Sequence, residues 1–294
     1  MKEKNIVIFS LMCLVAILVL SWTTQTAAVN KTIAVVPVNA RENNDTAKEK
    51  VINISHSKKT LDKINALSIE IEDLAEDEAT TNAESEIPAK VAYLTFDDGP
   101  SENTVKILDI LQEQNIKATF FVLGKTQQDE VYKRIVDEGH TIALHSNTHE
   151  YSDIYRTTDA FLEDIAILKQ LILDITGYTP EILRFPGGSN NTVSHRYGGV
   201  DIMEEIITAV EESGYIYFDW NVDSLDASKG VQDKEIIVNA VLKQSSALDQ
   251  AVILMHDSRY KTTTVEALPE IIDGLKNMGF AFDRLTSDTM IVQF

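Results

Sequence analysis

The chain has 294 residues, a formal net charge of −20 at pH 7 and one cysteine, Cys13. That length holds one large domain with appendages or two ordinary ones. The acidic excess excludes a general nucleic-acid binder, which needs cationic surface to displace counterions from phosphate, and it gives no support for adhesion to anionic lipid. The lone cysteine excludes an intramolecular disulfide framework and a thiolate zinc cluster.

The amino terminus reads Met-Lys-Glu-Lys and then runs apolar from Ile6 to Trp22, without strand or helix periodicity. Lys2 and Lys4 supply the positive flank of an export signal. Two outcomes stay open for residues 1–28. Thr26-Ala27-Ala28 offers small residues for signal-peptidase cleavage, while a run of seventeen residues reaches the lower edge of what spans a bilayer and can persist as a membrane anchor. Either outcome places the rest of the chain outside the cytoplasm. Cys13 sits inside the run behind a bulky Met12, which argues against a lipidation site.

Residues 29–88 are rich in Asn, Asp, Glu, Thr, Lys and Ala, with a self-repelling acidic stretch at Ile71–Glu78. Too little apolar surface is present to offset ordering entropy, so this stretch reads as a largely disordered spacer, with a helical pattern around Leu61 to Leu74.

From 89 to 294 short apolar runs alternate with amphipathic segments. Strands are predicted at Val91–Phe96, Ala118–Gly124, Thr141–Ser146, Ile182–Phe185, Tyr215–Val222, Ala251–His256 and Phe280–Leu285. Helices are predicted at Glu102–Gln114, Gln128–Glu138, Asp159–Thr176, Asp201–Ser213, Asp233–Ser246 and Val265–Met278. Gly139, Gly177, Gly214 and Gly279 follow four of these as left-handed caps. Strict alternation implies parallel strands joined by right-handed crossovers. The expected fold is α/β, a distorted or incomplete (β/α) barrel of about seven parallel strands. An open doubly wound sheet is the competitor. Asp97, Asp98, His145, Arg184, Asp223 and His256 each sit at or just past the end of a strand, the face on which barrel enzymes build their sites.

Thr95-Phe96-Asp97-Asp98-Gly99-Pro100 ends the first strand. Alone, Asp-Asp-Gly-Pro reads as a turn. Its meaning changes with His145 and His149, four residues apart at another strand end, because one carboxylate and two imidazoles make a three-ligand metal site with open positions. The spare carboxylate is then placed as a base on metal-bound water. Arg184-Phe185-Pro186-Gly187-Gly188 brings a cation able to hold that carboxylate by a bidentate contact, and glycines whose N–H groups can approach a ligand. His256, at the end of Leu254-Met255-His256, can protonate a leaving amine.

Taken together, these segments resemble the polysaccharide deacetylases of carbohydrate esterase family 4, the NodB-type domain. The resemblance spans about Lys90 to Thr286, with Thr95–Gly99, His145–His149, Arg184–Gly188, a looser Trp220–Ala227 and Leu254–His256 in family order. It implies metal-dependent removal of N-acetyl groups from a β-1,4-linked amino sugar. Asp97 would be the base, Asp98, His145 and His149 the ligands of Zn²⁺ (Co, Ni and Mn also suit such donors), Arg184 the partner of Asp97, and His256 the acid. Gly187 would share the oxyanion, and Trp220 and Leu254 would line the acetyl pocket.

Two departures from the family pattern stand out. The fourth motif commonly ends Asp-Trp, whereas here the pair is Asp226-Ala227, so the pocket wall is absent or supplied by Trp220. Asp226 is the expected partner of His256, with Asp223 the alternative. Many members also carry Tyr where Gly187 stands. Given the export signal and spacer, the expected substrate is peptidoglycan N-acetylglucosamine. The alternatives are a chitooligosaccharide, O-acetyl groups of a glycan such as xylan, or an inactive carbohydrate-binding wall protein.

Overall fold

The computed structural model describes residues 90–294; the apolar run Ile6–Trp22, the spacer and the expected boundaries at 28 and 88 lie outside them. Among the described residues no helix is long and apolar enough to cross a membrane.

Strand β1 (Lys90–Asp97) lies near the middle of the sheet, and β2 (Thr119–Leu123), β3 (Thr141–Ser146), β4 (Ile182–Leu183) and β5 (Ile216–Tyr217) follow to one side. On the other side lie β7 (Gln250–His256) and then β6 (Val222–Asp223), while β8 (Phe280–Asp283) pairs with the start of β1. All pairings are parallel. Helices α1 (Glu102–Gln114), α2 (Asp129–Asp137), α3 (Tyr151–Ile154), α4 (Thr158–Thr176), α5 (His195–Gly198), α6 (Ile202–Glu212), α7 (Lys234–Ser245) and α8 (Thr262–Asn277) connect the strands. Gly139, Gly177, Gly214 and Gly279 all adopt positive φ after helices, the conformation in which a side chain would be strained.

One predicted element is corrected. Tyr215–Val222 is two short strands, β5 and β6, on opposite edges of the sheet. The backbone changes partners between them: Phe218 N–H donates to Leu183 and Asn221 N–H to Val252. From Tyr217 to Val222 the chain reaches at most about 17 Å. Seven strands laid flat would hold the two edges about 29 Å apart. The sheet therefore curls until its edges nearly meet, giving an incomplete barrel without a ladder across the seam. The alternating apolar residues of this segment suited either reading. Asp219, fully buried at the break, gives its N–H to the Val292 carbonyl, outside both edge strands.

Period-2 alternation sorts the strands' side chains between two cores. Ala92, Leu94 and Phe96 of β1 pack under the helices with Phe120, Val122, Ile142, Leu144, Ile253 and Met255. The opposite face of the strands lines the barrel, where Tyr93, Phe121, Ala143, Ile182, Phe218, Val252 and Leu285 cluster. Thr95, Asp97, Leu254 and His256 share the parity of Tyr93 and Val252, so the same alternation aims them into the barrel mouth. Asp97 and His256 are Cα partners across β1 and β7.

Candidate active site

The first carboxylate pair diverges at the end of β1. Asp97 stays on the strand, 2 % exposed, and its Oδ1 accepts from Arg184 Nη1 at 2.9 Å. Asp98 turns off with φ +75°, which carries its side chain away from its neighbour's. Arg184 is fully buried. Its Nη1 also donates to Thr95 Oγ1, its Nε to the Phe218 carbonyl and its Nη2 to the Asp219 carbonyl, at 2.7–3.0 Å. The expected bidentate contact is thus corrected to a bond with one oxygen, because the other guanidinium nitrogens are taken by carbonyls across the barrel seam. The Phe121 ring lies 4.2 Å from the guanidinium carbon and Trp220 5.6 Å.

The second strand end presents the histidines. Leu144 pairs with Val122 and Ser146 with Leu123, so His145 is the extra residue of a register shift, a device that re-aims a side chain. His145 Nδ1 donates to the Arg184 carbonyl at 2.8 Å, which leaves the Nε2 lone pair facing Asp98. Burial pulls the pKa of this ring below the ordinary histidine value despite Asp97 and Asp98, favouring the neutral form that a ligand requires. His149 follows at φ +59°, with its N–H held by Ser146 Oγ at 2.8 Å. Asp98 Oδ1 is buried without a hydrogen-bond partner and lies 3.6 Å from His145 Nε2 and 3.5 Å from His149 Nε2.

Those separations are too long for hydrogen bonds. They match two donors on one ion: ligand bonds of about 2.1 Å at tetrahedral angles separate donors by about 3.4 Å. The orphaned oxygen and the paired Nε2 atoms therefore fit a divalent metal.

On the strand next to Asp97, His256 ends β7 and is gripped twice by Asp226. Its Nδ1 donates to Oδ1 at 2.7 Å and its backbone N–H to Oδ2 at 2.8 Å, and Thr264 Oγ1 of α8 adds a third bond at 2.9 Å. Burial works against the charged ring. The hydrogen bond and charge of Asp226, with Asp97 and Asp98, outweigh it and push the His256 pKa up to about 9. Asp223 makes no such contact; its Oδ1 accepts from the Leu225 N–H at 2.8 Å.

Gly187 and Gly188 both have positive φ, and each is closely approached. A Cβ on Gly188 would stand 3.0 Å from the Trp220 ring, and one on Gly187 would stand 2.7 Å from Tyr151 Oη. Tyr151, whose ring lies 5.5 Å from that of His149, thus fills the space beside the position where many relatives of the resembled family carry Tyr. Trp220 packs edge-on against Phe294, with centroids 5.0 Å apart, and Leu254 is buried on the barrel face opposite Thr95.

Three further carboxylates support the site and were not singled out from the sequence. Asp164 of α4 accepts from Ser146 Oγ, the Asn147 and Thr148 N–H groups and Thr148 Oγ1, bracing the loop between the histidines. Its signal was readable, since it shares the buried stripe of Phe161, Ile165 and Leu168. Asp219 accepts from Ser189 and from the Phe294 N–H while its carbonyl holds Arg184. Asp257 is enclosed behind Gly99 and takes a bond from Thr104 Oγ1; burial pushes its carboxyl up to about 7.

The family model for polysaccharide deacetylases matches residues 84–198. YheN of Bacillus subtilis (strain 168), whose name places it among the polysaccharide deacetylases, is 37% identical over 69% of this chain and 69% of its own. A peptidoglycan-N-acetylglucosamine deacetylase of Bacillus cereus is 33% identical over 66% of this chain and 68% of its own. Among solved structures, the catalytic domain of peptidoglycan N-acetylglucosamine deacetylase from Eubacterium rectale ATCC 33656 superposes with a TM-score of 0.66 at 38% identity, covering 70% of this chain and 92% of that one. Fold, matched motifs and relatives agree: the chain belongs to the polysaccharide deacetylases, the hydrolases of carbohydrate esterase family 4.

Proposed function

We propose that this protein hydrolyses the N-acetyl group of N-acetylglucosamine in peptidoglycan, working outside the cytoplasm with one divalent ion, zinc first among the candidates. The observation that carries the reading is a carboxylate and an imidazole with opposite surroundings at one mouth: the Asp97–Arg184 pair beside the Asp98, His145 and His149 donors, and the Asp226-held His256 on the strand next to Asp97.

Asp98, His145 and His149 would hold the ion, which when bound would acidify water and polarise the acetyl carbonyl. Asp97 is the base. Arg184 occupies its Oδ1, so Oδ2 is the oxygen that takes the proton. Gly187, exposed at the turn after Arg184, offers its N–H to the developing oxyanion. His256 donates from Nε2 to the departing nitrogen, because its Nδ1 proton is committed to Asp226. Trp220 and Leu254 bound the space for the acetyl methyl. The relatives named for peptidoglycan deacetylation and the apolar run at Ile6–Trp22 support a cell-wall substrate.

The test is incubation of the full chain and added divalent ions with defined peptidoglycan fragments, N-acetylglucosamine oligomers and acetylated xylan, followed by mass spectrometry. Loss of acetyl mass from the amino sugars, dependent on metal, is the expected result. Loss from xylan alone would make the protein an O-acetyl esterase.

A further inference from the structure

A cavity of about 680 Å³ opens directly beside Asp98, between the loop after β1, the loop after β2 and the loop after β7. Lys125 and Arg259 line it from two of those loops, together with Tyr260, Gln128 and Ser101. Asp98 and Glu102 are the acids on its wall. The first faces the histidine donors, and the second is the exposed first residue of α1, behind its Ser101 cap, where the helix dipole already favours an anion.

Two cations here are unexpected in a chain with 20 more acidic than basic residues. Among the described residues neither Lys125 nor Arg259 meets a carboxylate within 4.0 Å, a state they share with other surface cations such as Lys106 and Arg156 but hold here at the wall of one cavity. The backbone N–H of Lys125 donates to Tyr132 Oη at 2.8 Å, tying its loop to α2. The Arg259 guanidinium lies 4.6 Å over the Tyr260 ring and donates to its hydroxyl, while 58 % of Tyr260 stays exposed. Two cations without a carboxylate partner, beside a half-exposed aromatic ring, suit an anionic sugar.

We infer that this cavity is the subsite for the sugar next to the reacting one, and that Lys125 and Arg259 read a carboxylate on it. The inference rests on the deacetylase reading and sharpens it. A neutral β-1,4 polymer such as a chitooligosaccharide gives these cations nothing to bind. A glycan of alternating N-acetylglucosamine and N-acetylmuramic acid brings a lactyl carboxylate on every second sugar wherever the stem peptide is absent; where the peptide is attached, that carboxyl is an amide and the free carboxylates are the peptide's own.

The experiment compares kcat/KM for a neutral N-acetylglucosamine oligomer, an alternating oligomer stripped of peptide, and the same oligomer carrying its peptides. The metal-loaded full chain is measured beside Lys125→Gln, Arg259→Gln and the double variant. The expected preference for the stripped alternating oligomer over the neutral one is about tenfold, the value of one charge-assisted contact. It should shrink in each single variant and vanish in the double, chiefly through KM. Preference for the peptide-bearing oligomer alone would overturn the inference, since the recognised carboxylate would then belong to the peptide and not to the sugar. A wild-type ratio near one, or a ratio the double variant leaves intact, overturns it. Binding of the same oligomers to the Asp97→Asn protein reads the ratio without turnover. Failure to deacetylate anything therefore strikes the parent reading, while affinity still decides this one.

Discussion

Asp226 holds His256 by both its ring and its backbone, Nδ1 at 2.7 Å and N at 2.8 Å, so one carboxylate fixes the position and the charge of the imidazole together. With a pKa pushed up to about 9, the ring keeps its proton across neutral pH. Asp226→Asn removes the nearest anion and leaves burial opposed only by Asp97 and Asp98, which lowers the histidine pKa. The expected outcome is a fall in rate on the order of ten- to a hundredfold, with the alkaline limb of the pH profile moved down. Bound metal adds positive charge nearby, so the wild-type limb should lie at or below the value for the metal-free protein. Asp223→Asn, at a carboxylate that touches only a turn, should leave the limb in place. An unmoved limb in Asp226→Asn would remove His256 as the acid.

The same pair sets a pH window for stability. The folded pKa of His256 lies above its ordinary value near 6.5, so its contribution is full below that value and is lost as pH rises through about 9. Asp226 is held below its ordinary 3.8: burial opposes this, but the bonds and charge of His256 outweigh it. Its contribution is present above 3.8 and is lost as pH falls further. Thermal melts of the metal-free protein should therefore lose midpoint at alkaline pH, and Asp226→Asn should flatten that loss. Parallel alkaline slopes for the two proteins would show that the pair does not govern it.

Adjacent carboxylates should behave differently. Asp98 Oδ1 faces two imidazole nitrogens and Asp97 Oδ1 faces a guanidinium. Asp98→Asn is expected to lose metal and turnover together, whereas Asp97→Asn keeps the metal and loses turnover. Calorimetric titration with zinc beside an acetate-release assay distinguishes them. Equal loss of metal in both would mean the carboxylates share one role.

Asp164 bonds to none of the three metal donors, yet it receives four bonds from Ser146, Asn147 and Thr148. Asp164→Ala leaves two loop N–H groups unpaired and frees the His149 turn. Outer supports of this kind typically contribute ten- to a hundredfold in metal affinity, and a loss of about that size is expected. Unchanged zinc affinity in a folded Asp164→Ala protein would show that the turn holds itself.

Much of this site was legible because alternation and strand ends are local properties. Asp97, His145 and His256 fall where a period of two meets the end of an apolar run, and the glycine caps mark the helices between. What escaped depended on distance. Tyr215–Val222 alternates like one strand, and only closure of the curled sheet shows that Phe218 and Asn221 belong to opposite edges. The choice between Asp223 and Asp226 turned on a short 3₁₀ turn, Asp226–Ser228, that folds Asp226 back under β7. Arg184 looked like a partner for one carboxylate, whereas most of its bonds go to carbonyls and a hydroxyl across the barrel.

Those bonds make Arg184 structural as well as functional, and the two contributions can be separated. Arg184→Met removes a fully buried cation and leaves Asp97, the Phe218 and Asp219 carbonyls and Thr95 without their donor. Breaking one side of a buried pair usually costs about 3–5 kcal/mol, and a loss in that range is expected. Asp97→Asn should cost less, since the guanidinium keeps its three other acceptors. In the double variant no carboxylate is stranded, so its destabilisation should fall short of the sum of the singles by more than about 0.5 kcal/mol, the usual scatter of independent sites. Denaturant unfolding of the four proteins closes the cycle. Additive losses would mean that Arg184 stabilises the seam through its carbonyl bonds alone, and that its contact with Asp97 serves only to orient the base.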